Sequence, residues 1–135
     1  MTAALVPELY VSNLDASLAF YVGLLGFTIR YQRCEERFAY LERAAAELMI
    51  EEPVGRTWLT AALVKPFGRG INLQITAEDV VALYQRVAKA ADVVQPLEQK
   101  VYQRTNDAIL VDQFVVADPD GYLLRFQHRR PSPAP

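Results

Sequence analysis

The chain has 135 residues, of which 52% are hydrophobic, and a formal net charge of −2 at pH 7. This length and apolar content fit one folded domain with a sizeable core and exclude a disordered chain. The slight negative charge, with lysines and arginines scattered along the sequence, excludes a nucleic-acid partner, which would require a basic face.

The apolar runs and the cysteine content indicate a cytoplasmic protein. No apolar run approaches the ~20 residues needed to cross a bilayer, and the first residues lack the layout of a signal peptide. Cys34 is the single cysteine, so no internal disulfide can form. Because no basic partner for the thiol is readable, we expect Cys34 to be a half-buried strand residue rather than a nucleophile.

The first predicted element is a strand at 5–11, in which residues alternate between two faces. Its odd-numbered positions are apolar, and Glu8 and Tyr10 lie on the other face. An amphipathic helix follows over 14–25, and Gly26 is a natural stop. Three short strands then follow at about 27–34, 37–43 and 46–51, so the order of elements is βαβββ.

The second half of the chain repeats the first. Residues 71–88 match residues 7–24 at an offset of 64 positions, and a Gly/Pro-rich linker at 53–68 separates the repeats. Ser12 and Thr76 each stand three residues before an Asp, which predicts that these two hydroxyl groups cap the two helices.

The second repeat should also end in three strands, at about 92–103, 109–117 and 121–128. The last strand follows Asp118-Pro119-Asp120-Gly121, a strong turn signal. A Pro-rich tail at 129–135 completes the chain. The sequence therefore predicts an α+β fold of two βαβββ repeats, whose uncovered sheet faces would line a shared, cup-shaped ligand site.

Two segments carry a family resemblance. VSNLDASLAFYVGLLGF at 11–27 and VVADPDGYLLRF at 115–126 resemble the first strand-to-helix segment and the last hairpin of the vicinal-oxygen-chelate superfamily. This group contains glyoxalases, bleomycin-resistance proteins and extradiol dioxygenases. The resemblance covers nearly the whole chain and implies paired βαβββ modules in a cup-shaped mixed sheet, usually within a homodimer.

The same resemblance places four metal-ligand positions, which fall on Val6, on Met49 or Glu51, on Asn72 and on Arg125. At most one carboxylate remains where three or four ligands are required, and the chain has one histidine. An iron site of two His and one carboxylate, or a zinc or nickel site of two His and two Glu, is therefore excluded within one chain. Arg125 opposes a Mg²⁺ site, so we expect no metal cofactor.

Strand parity and the linker composition give the candidate ligand-binding residues. They are Glu8, Tyr10, Phe38, Tyr40, Met49, Glu51, Trp58, Asn72, Gln74, Tyr102, Phe114 and Arg125. Aromatic residues on strand faces usually pack in a core, and Arg125 could simply pair with Glu8 or Glu51. Asn72 and Gln74 favour a wet, polar site, because two amides aimed into a core would need hydrogen-bond partners.

These residues support three hypotheses. In the first, the chain resembles the metal-free branch of bleomycin-resistance type, whose members bind and sequester a drug without catalysing a reaction. Stacking on Trp58 would suit an aromatic ligand, whereas Arg125 would repel a cation. The alternative is a lyase, isomerase or transferase acting on a small oxygenated substrate, with Glu51 or Glu8 as the catalytic base. In the third, the cup is filled by side chains and the dimer surface carries the function.

Overall fold

The computed structural model describes residues 2–131 and divides between Phe67 and Gly68 into two compact units, here unit 1 and unit 2. Each unit contains a four-stranded mixed sheet and a helix. The predicted α+β fold of two βαβββ repeats is confirmed.

Unit 1 opens with a short strand and a helix that changes its winding. Its elements are β1 (Glu8–Tyr10), α1 (Leu14–Leu18), which continues as a π-helical segment (Ala19–Leu24), β2 (Thr28–Arg33), β3 (Phe38–Arg43) and β4 (Ala46–Glu51). The strand order is β1-β4-β3-β2, with β1 parallel to β4 and the other pairs antiparallel.

Unit 2 repeats this arrangement. Its elements are β5 (Asn72–Thr76), α2 (Val80–Val87), β6 (Asp92–Gln103), β7 (Ala108–Ala117) and β8 (Leu123–Arg130). The order is β5-β8-β7-β6, with β5 parallel to β8. In both units, every strand predicted after the helix is present within two residues at each end.

The helix caps differ from the prediction. Asn13 Oδ1 accepts a hydrogen bond from Ala16 N at 3.0 Å, and Asp79 Oδ1 accepts one from Ala82 N at 3.0 Å. The cap must directly precede the first helical residue, and the helices begin at Leu14 and Val80, so the predicted caps Ser12 and Thr76 lie too early.

Three further expectations need correction. The predicted helix at 14–25 has only one α-helical turn, because Leu25 N donates to Phe20 O, five residues back. Cys34 is exposed and starts a short 3₁₀ turn, so it is not a half-buried strand residue. Arg129 and Arg130 belong to β8 rather than to a tail. The remaining tail residues at 132–135 lie outside the described part of the chain.

The helix-facing side of each sheet is apolar. In unit 1 the largest fully buried side chains on or near this side include Tyr21, Leu41 and Ile50. In unit 2, Tyr84 of α2 packs against Phe114, with ring centroids 5.1 Å apart, and Phe114 stacks on Phe126. Because one face of each sheet is covered by its helix, polar side chains concentrate on the other face.

The predicted turn before β8 is confirmed. Asp118 Oδ1 accepts hydrogen bonds from the backbone N–H groups of Asp120 and Tyr122, each at 2.9 Å. Gly121 has φ near +100°, which a residue without a side chain adopts freely. This turn fixes where β8 begins and therefore which of its side chains face away from α2.

Within residues 2–131, no helix is both long enough and apolar enough to cross a membrane.

Candidate functional site

The sheet face of unit 1 away from the helix carries two rows of side chains. Directly paired residues on neighbouring strands point to the same side of a sheet. The register places Tyr10, Glu51, Phe38 and Arg33 in one row and Glu8, Met49, Tyr40 and Tyr31 in the next. Glu8 and Glu51 are diagonal neighbours on the adjacent strands β1 and β4.

A cavity of about 540 Å³ opens on this face, here called the unit-1 cavity. Four glutamates and two arginines line it, together with Tyr10, Trp58, Val54 and Gly55. The glutamates are Glu8, Glu35, Glu36 and Glu51, and the arginines are Arg33 and Arg56. The carboxylates outnumber the guanidinium groups, so the cavity favours a cation.

Trp58 is the aromatic wall of this cavity. Its backbone N–H donates to the hydroxyl of Tyr10 at 2.8 Å, which ties the linker to β1. Its side chain is 72% exposed, and the guanidinium carbon of Arg56 lies 4.4 Å from the ring centroid. The indole is therefore held at the cavity with a planar cation over its face.

The two glutamates at the sheet end of the cavity interact with each other. Burial raises the pKa of Glu51 above its usual value, and the charge of Glu8 and a hydrogen bond with it raise this pKa further. The positive charge of Arg33 opposes the rise. A second positive charge placed between the two carboxylates would relieve their repulsion.

Three predicted site residues on this face do not line the cavity. Phe38 is 1% exposed and lies beneath the guanidinium group of Arg33, whose carbon is 3.8 Å from the ring centroid. Tyr40 is buried, and its hydroxyl donates to Glu47 at 2.6 Å. Met49 is half-buried in the same row. These three side chains belong to the same sheet face but are not part of the cavity lining.

Unit 2 has a smaller cavity of about 220 Å³ on its own sheet, here called the unit-2 cavity. The predicted residues Gln74, Tyr102 and Arg125 line it. Five further lining residues were not predicted from the sequence, namely Ile109, Val111, Gln113, Gln127 and Arg129. Arg125 Nε donates to Asn72 Oδ1 of the same unit at 3.3 Å.

Phe114 lies on the opposite face from the one predicted. It pairs with Phe126 across β7 and β8, is fully buried and packs against α2. Arg125 pairs with Val115, so Phe114 and Arg125 point to opposite sides of the sheet. Phe114 is therefore a core residue of unit 2.

The missed residues of unit 1 come from a turn and from the linker, except for Arg33, which ends β2. Glu35 and Glu36 belong to the 3₁₀ turn between β2 and β3, and Arg56 stands two residues before Trp58. A dense run of charged residues at 33–37 was the available sequence signal. Parity along strands gives no direction for such turn residues, so the signal could not be read from the sequence alone.

The four family positions for metal ligands do not form a suitable donor set. Val6 offers hydrocarbon, Arg125 offers a cation, and the side-chain oxygen of Asn72 accepts from that cation. Among residues 2–131, no group of three or more His, Cys, Asp or Glu is placed to hold a metal ion. The residues present therefore do not fit the His/Glu-bound metal of the family's metal enzymes.

Comparison with known proteins gives one family match. Residues 3–126 match the Glyoxalase/Bleomycin resistance protein/Dioxygenase superfamily. No protein of curated function matches the chain significantly.

Solved structures of similar proteins cover most of the chain. TioX from Micromonospora sp. ML1 is 22% identical with a TM-score of 0.67, covering 93% of this chain and 98% of that one. A glyoxalase/bleomycin resistance protein/dioxygenase from Alicyclobacillus acidocaldarius is 18% identical with a TM-score of 0.61, covering 89% and 86%. A superfamily member from Vibrio splendidus 12B01 is 37% identical with a TM-score of 0.45, covering 93% and 97%.

Proposed function

From the premise that the chain belongs to the glyoxalase/bleomycin resistance protein/dioxygenase superfamily, we propose that it is a metal-free binding protein of antibiotic-resistance type. It sequesters a cationic aromatic small molecule in the unit-1 cavity and does so without chemistry. One observation carries this proposal: an exposed tryptophan stands in a cavity whose lining contains four glutamates. Such a wall offers stacking and charge to the same ligand.

The charge of the cavity favours a cation because its four glutamates outnumber its two arginines. Arg33 forms an ion pair with Glu36, with Nε 2.9 Å from the carboxylate oxygen. Arg56 stacks on Trp58. Stacking leaves the charge of Arg56 in place, so the carboxylates of Glu8, Glu35 and Glu51 face one guanidinium group and the cavity keeps a net negative charge.

Arg56 also indicates what kind of group the indole accepts. A guanidinium group is planar, delocalised and weakly hydrated, as are the charged rings of many aromatic drugs. A ligand cation could take the position over Trp58 and displace Arg56 towards solvent. The cavity volume of about 540 Å³ falls in the usual range for sites that hold drug-sized molecules.

Arg125, which was expected to repel a cationic drug, is not among the residues that line the unit-1 cavity. Arg125 lines the unit-2 cavity and hydrogen-bonds to Asn72. A cationic, partly aromatic compound such as bleomycin is therefore included among the ligands to be tested.

Fluorescence tests the proposal directly, because Trp58 is the only tryptophan in the chain. We expect ethidium, a planar aromatic cation, to quench Trp58, and phenanthridine, a related neutral compound, to bind at least about tenfold more weakly. Bleomycin is titrated in the same way. The Glu51→Gln variant should bind ethidium more weakly than the wild-type protein.

Glu78→Gln is the matched control, since it removes one negative charge from an exposed position of unit 2. Equal affinity of the protein for ethidium and phenanthridine would contradict the proposal. An equal loss of ethidium affinity in Glu51→Gln and Glu78→Gln would contradict it as well.

A second candidate function follows from the raised pKa of Glu51, which suits a general acid or base. In this case the chain is a lyase, isomerase or transferase acting on a small oxygenated substrate. NMR spectra of such compounds incubated with the protein would show turnover that Glu51→Gln abolishes and Glu78→Gln preserves. Stoichiometric metal in the purified protein, lost in Glu51→Gln, would favour the enzyme over the binding protein.

A further inference from the structure

The lining of the unit-2 cavity is opposite in charge to the lining of the unit-1 cavity. Its lining contains two arginines, three glutamines and a tyrosine, and no acidic residue among those described. The arginines are Arg125 and Arg129, both on β8. A cavity with this lining favours a ligand that is negatively charged and able to form several hydrogen bonds.

Gln113 is the most informative residue in this lining. It is 5% exposed, and its Nε2 donates to the Tyr102 hydroxyl at 2.7 Å. Its Oε1 is buried and has no hydrogen-bond partner. A buried amide oxygen without a donor costs free energy, so this atom is suited to receive an O–H or N–H group from a ligand.

Arg125 is the better placed of the two cations for binding an anion. It is half-buried, and its hydrogen bond is a 3.3 Å contact to the neutral amide of Asn72. Arg129 is exposed and acts electrostatically on Asp107. Among the described residues of unit 2, no carboxylate forms an ion pair with Arg125, so its charge is available to a ligand.

The register sets the spacing of these two groups. Arg125 pairs with Val115, and Gln127 pairs with Gln113, so Arg125 and Gln113 are one two-residue step apart along the face. Two residues of a strand span roughly 6.6 Å. Ile109 and Val111 add apolar surface to the same cavity.

From this arrangement we propose that unit 2 holds a binding site for a small organic carboxylate that also carries a hydroxyl or amide donor. Arg125 binds the carboxylate, Gln113 Oε1 accepts the donor, and the apolar body of the ligand contacts Ile109 and Val111. A volume of about 220 Å³ suits a single-ring compound rather than a large drug.

A titration of the ¹⁵N-labelled full chain with 4-hydroxybenzoate, followed by NMR, tests this site. The compound carries a carboxylate and a hydroxyl at opposite ends of one ring. We expect the side-chain signals of Gln113 and Arg125 to shift while the indole signal of Trp58 stays unchanged. Benzoate lacks the donor and should bind about fivefold to tenfold more weakly, as should the uncharged 4-hydroxybenzamide.

Two variants separate binding from folding. Gln113→Met keeps the length of the side chain and removes the unsatisfied amide, so its melting temperature should equal or exceed that of the wild type. It should bind 4-hydroxybenzoate and benzoate with equal affinity. Arg125→Gln should weaken both carboxylates about tenfold, whereas Lys89→Gln, at an exposed position of the same unit, should not.

The proposal is overturned if 4-hydroxybenzoate shifts no signal in unit 2 at millimolar concentration. It is also overturned if Gln113→Met retains the preference for the hydroxylated compound. Failure of the cation site in unit 1 would appear separately, in the fluorescence of Trp58, so the two proposals can fail independently.

Discussion

The proposed cation binding depends most directly on the ionisation of Glu51. Its carboxyl group lies beside Glu8 in the unit-1 cavity, and burial together with that neighbour raises its pKa. Because the raised pKa means that the proton is held more tightly in the folded protein, Glu51 loses its charge at a higher pH than an ordinary glutamate.

Ethidium affinity should therefore fall on acidification while the pH is still above ~4.3, the usual pKa of a glutamate side chain. In Glu51→Gln this component of the pH dependence should vanish. The same variant should be more stable than the wild type at neutral pH, by about 0.5 kcal/mol, because the repulsion with Glu8 is removed. The stability difference should shrink as the pH falls and Glu51 becomes protonated. Denaturant unfolding across this pH range checks the sign.

Gly68 gives a second prediction at the scale of one residue. It has φ near +71°, and a Cβ atom at this position would collide with the ring of Tyr122. Gly70 has φ near +90° with no atom within 4 Å of such a Cβ. Gly70→Ala should therefore cost about 1 kcal/mol for the backbone alone, and Gly68→Ala clearly more. Equal losses in the free energy of unfolding would contradict this explanation.

At the scale of elements, Glu52 joins the end of β4 to the start of α1. Its Oε2 accepts from Leu14 N at 2.7 Å and from Arg37 at 3.0 Å. The hydrogen bond from the N–H group of Leu14 is the main reason why the pKa of Glu52 lies below its usual value. The hydrogen bond from Arg37 lowers this pKa further. The carboxylate thus satisfies a free donor at the first turn of a helix that has only one α-helical turn.

Glu52→Gln should lower the free energy of unfolding by about 1–2 kcal/mol at neutral pH. Because the folded-state pKa is lowered, this contribution is present above the usual pKa of glutamate and is lost as the pH falls through the folded-state value. Glu35→Gln, at an exposed position of the same unit, should change stability by less than about 0.5 kcal/mol. Urea unfolding at pH 7 and pH 3 tests both expectations, and a loss in Glu52→Gln that does not shrink at pH 3 would contradict them.

The order of the elements and the bounds of the strands that follow each helix could be predicted, because the βαβββ pattern occurs twice in the sequence at an offset of 64. Strand parity also placed Glu8, Glu51 and Arg125 at cavities. It failed for Phe114, because the register between β7 and β8 pairs this residue with Phe126. In the β7 segment AILVDQFVVA both alternating sets contain apolar and polar residues, so the sequence does not mark which set faces α2.

The predictions of the helix caps and of the turn residues at the cavity failed because these positions depend on local backbone geometry. Ser12 directly precedes the observed cap Asn13, and Thr76 stands three residues before the observed cap Asp79, so the hydroxyl residues did not fix where the helices begin. Glu35 and Glu36 reach the cavity only because a 3₁₀ turn follows β2 and Arg37 adopts a left-handed conformation, with φ near +52°. Such local geometry has no periodic signal.

At the scale of the whole molecule, we propose that the chain forms a homodimer, as the family resemblance implies. β2 and β6 are edge strands of their sheets and expose apolar side chains, including Ile29, Tyr31, Val94 and Val101. Analytical ultracentrifugation should give a mass of about twice 15.2 kDa at micromolar concentration. An Ile29→Glu or Val101→Glu variant should shift the mass towards the monomer, and a wild-type monomer would contradict the proposal.

The proposed function requires that the unit-1 cavity binds an aromatic cation without the help of a metal. Isothermal titration calorimetry of ethidium into protein treated with a chelator tests it most directly. We predict one bound ethidium per chain, with an affinity that the chelator leaves unchanged and that Trp58→Ala reduces at least about tenfold. Binding that disappears with the chelator, or that survives Trp58→Ala and Glu51→Gln unchanged, would contradict the claim.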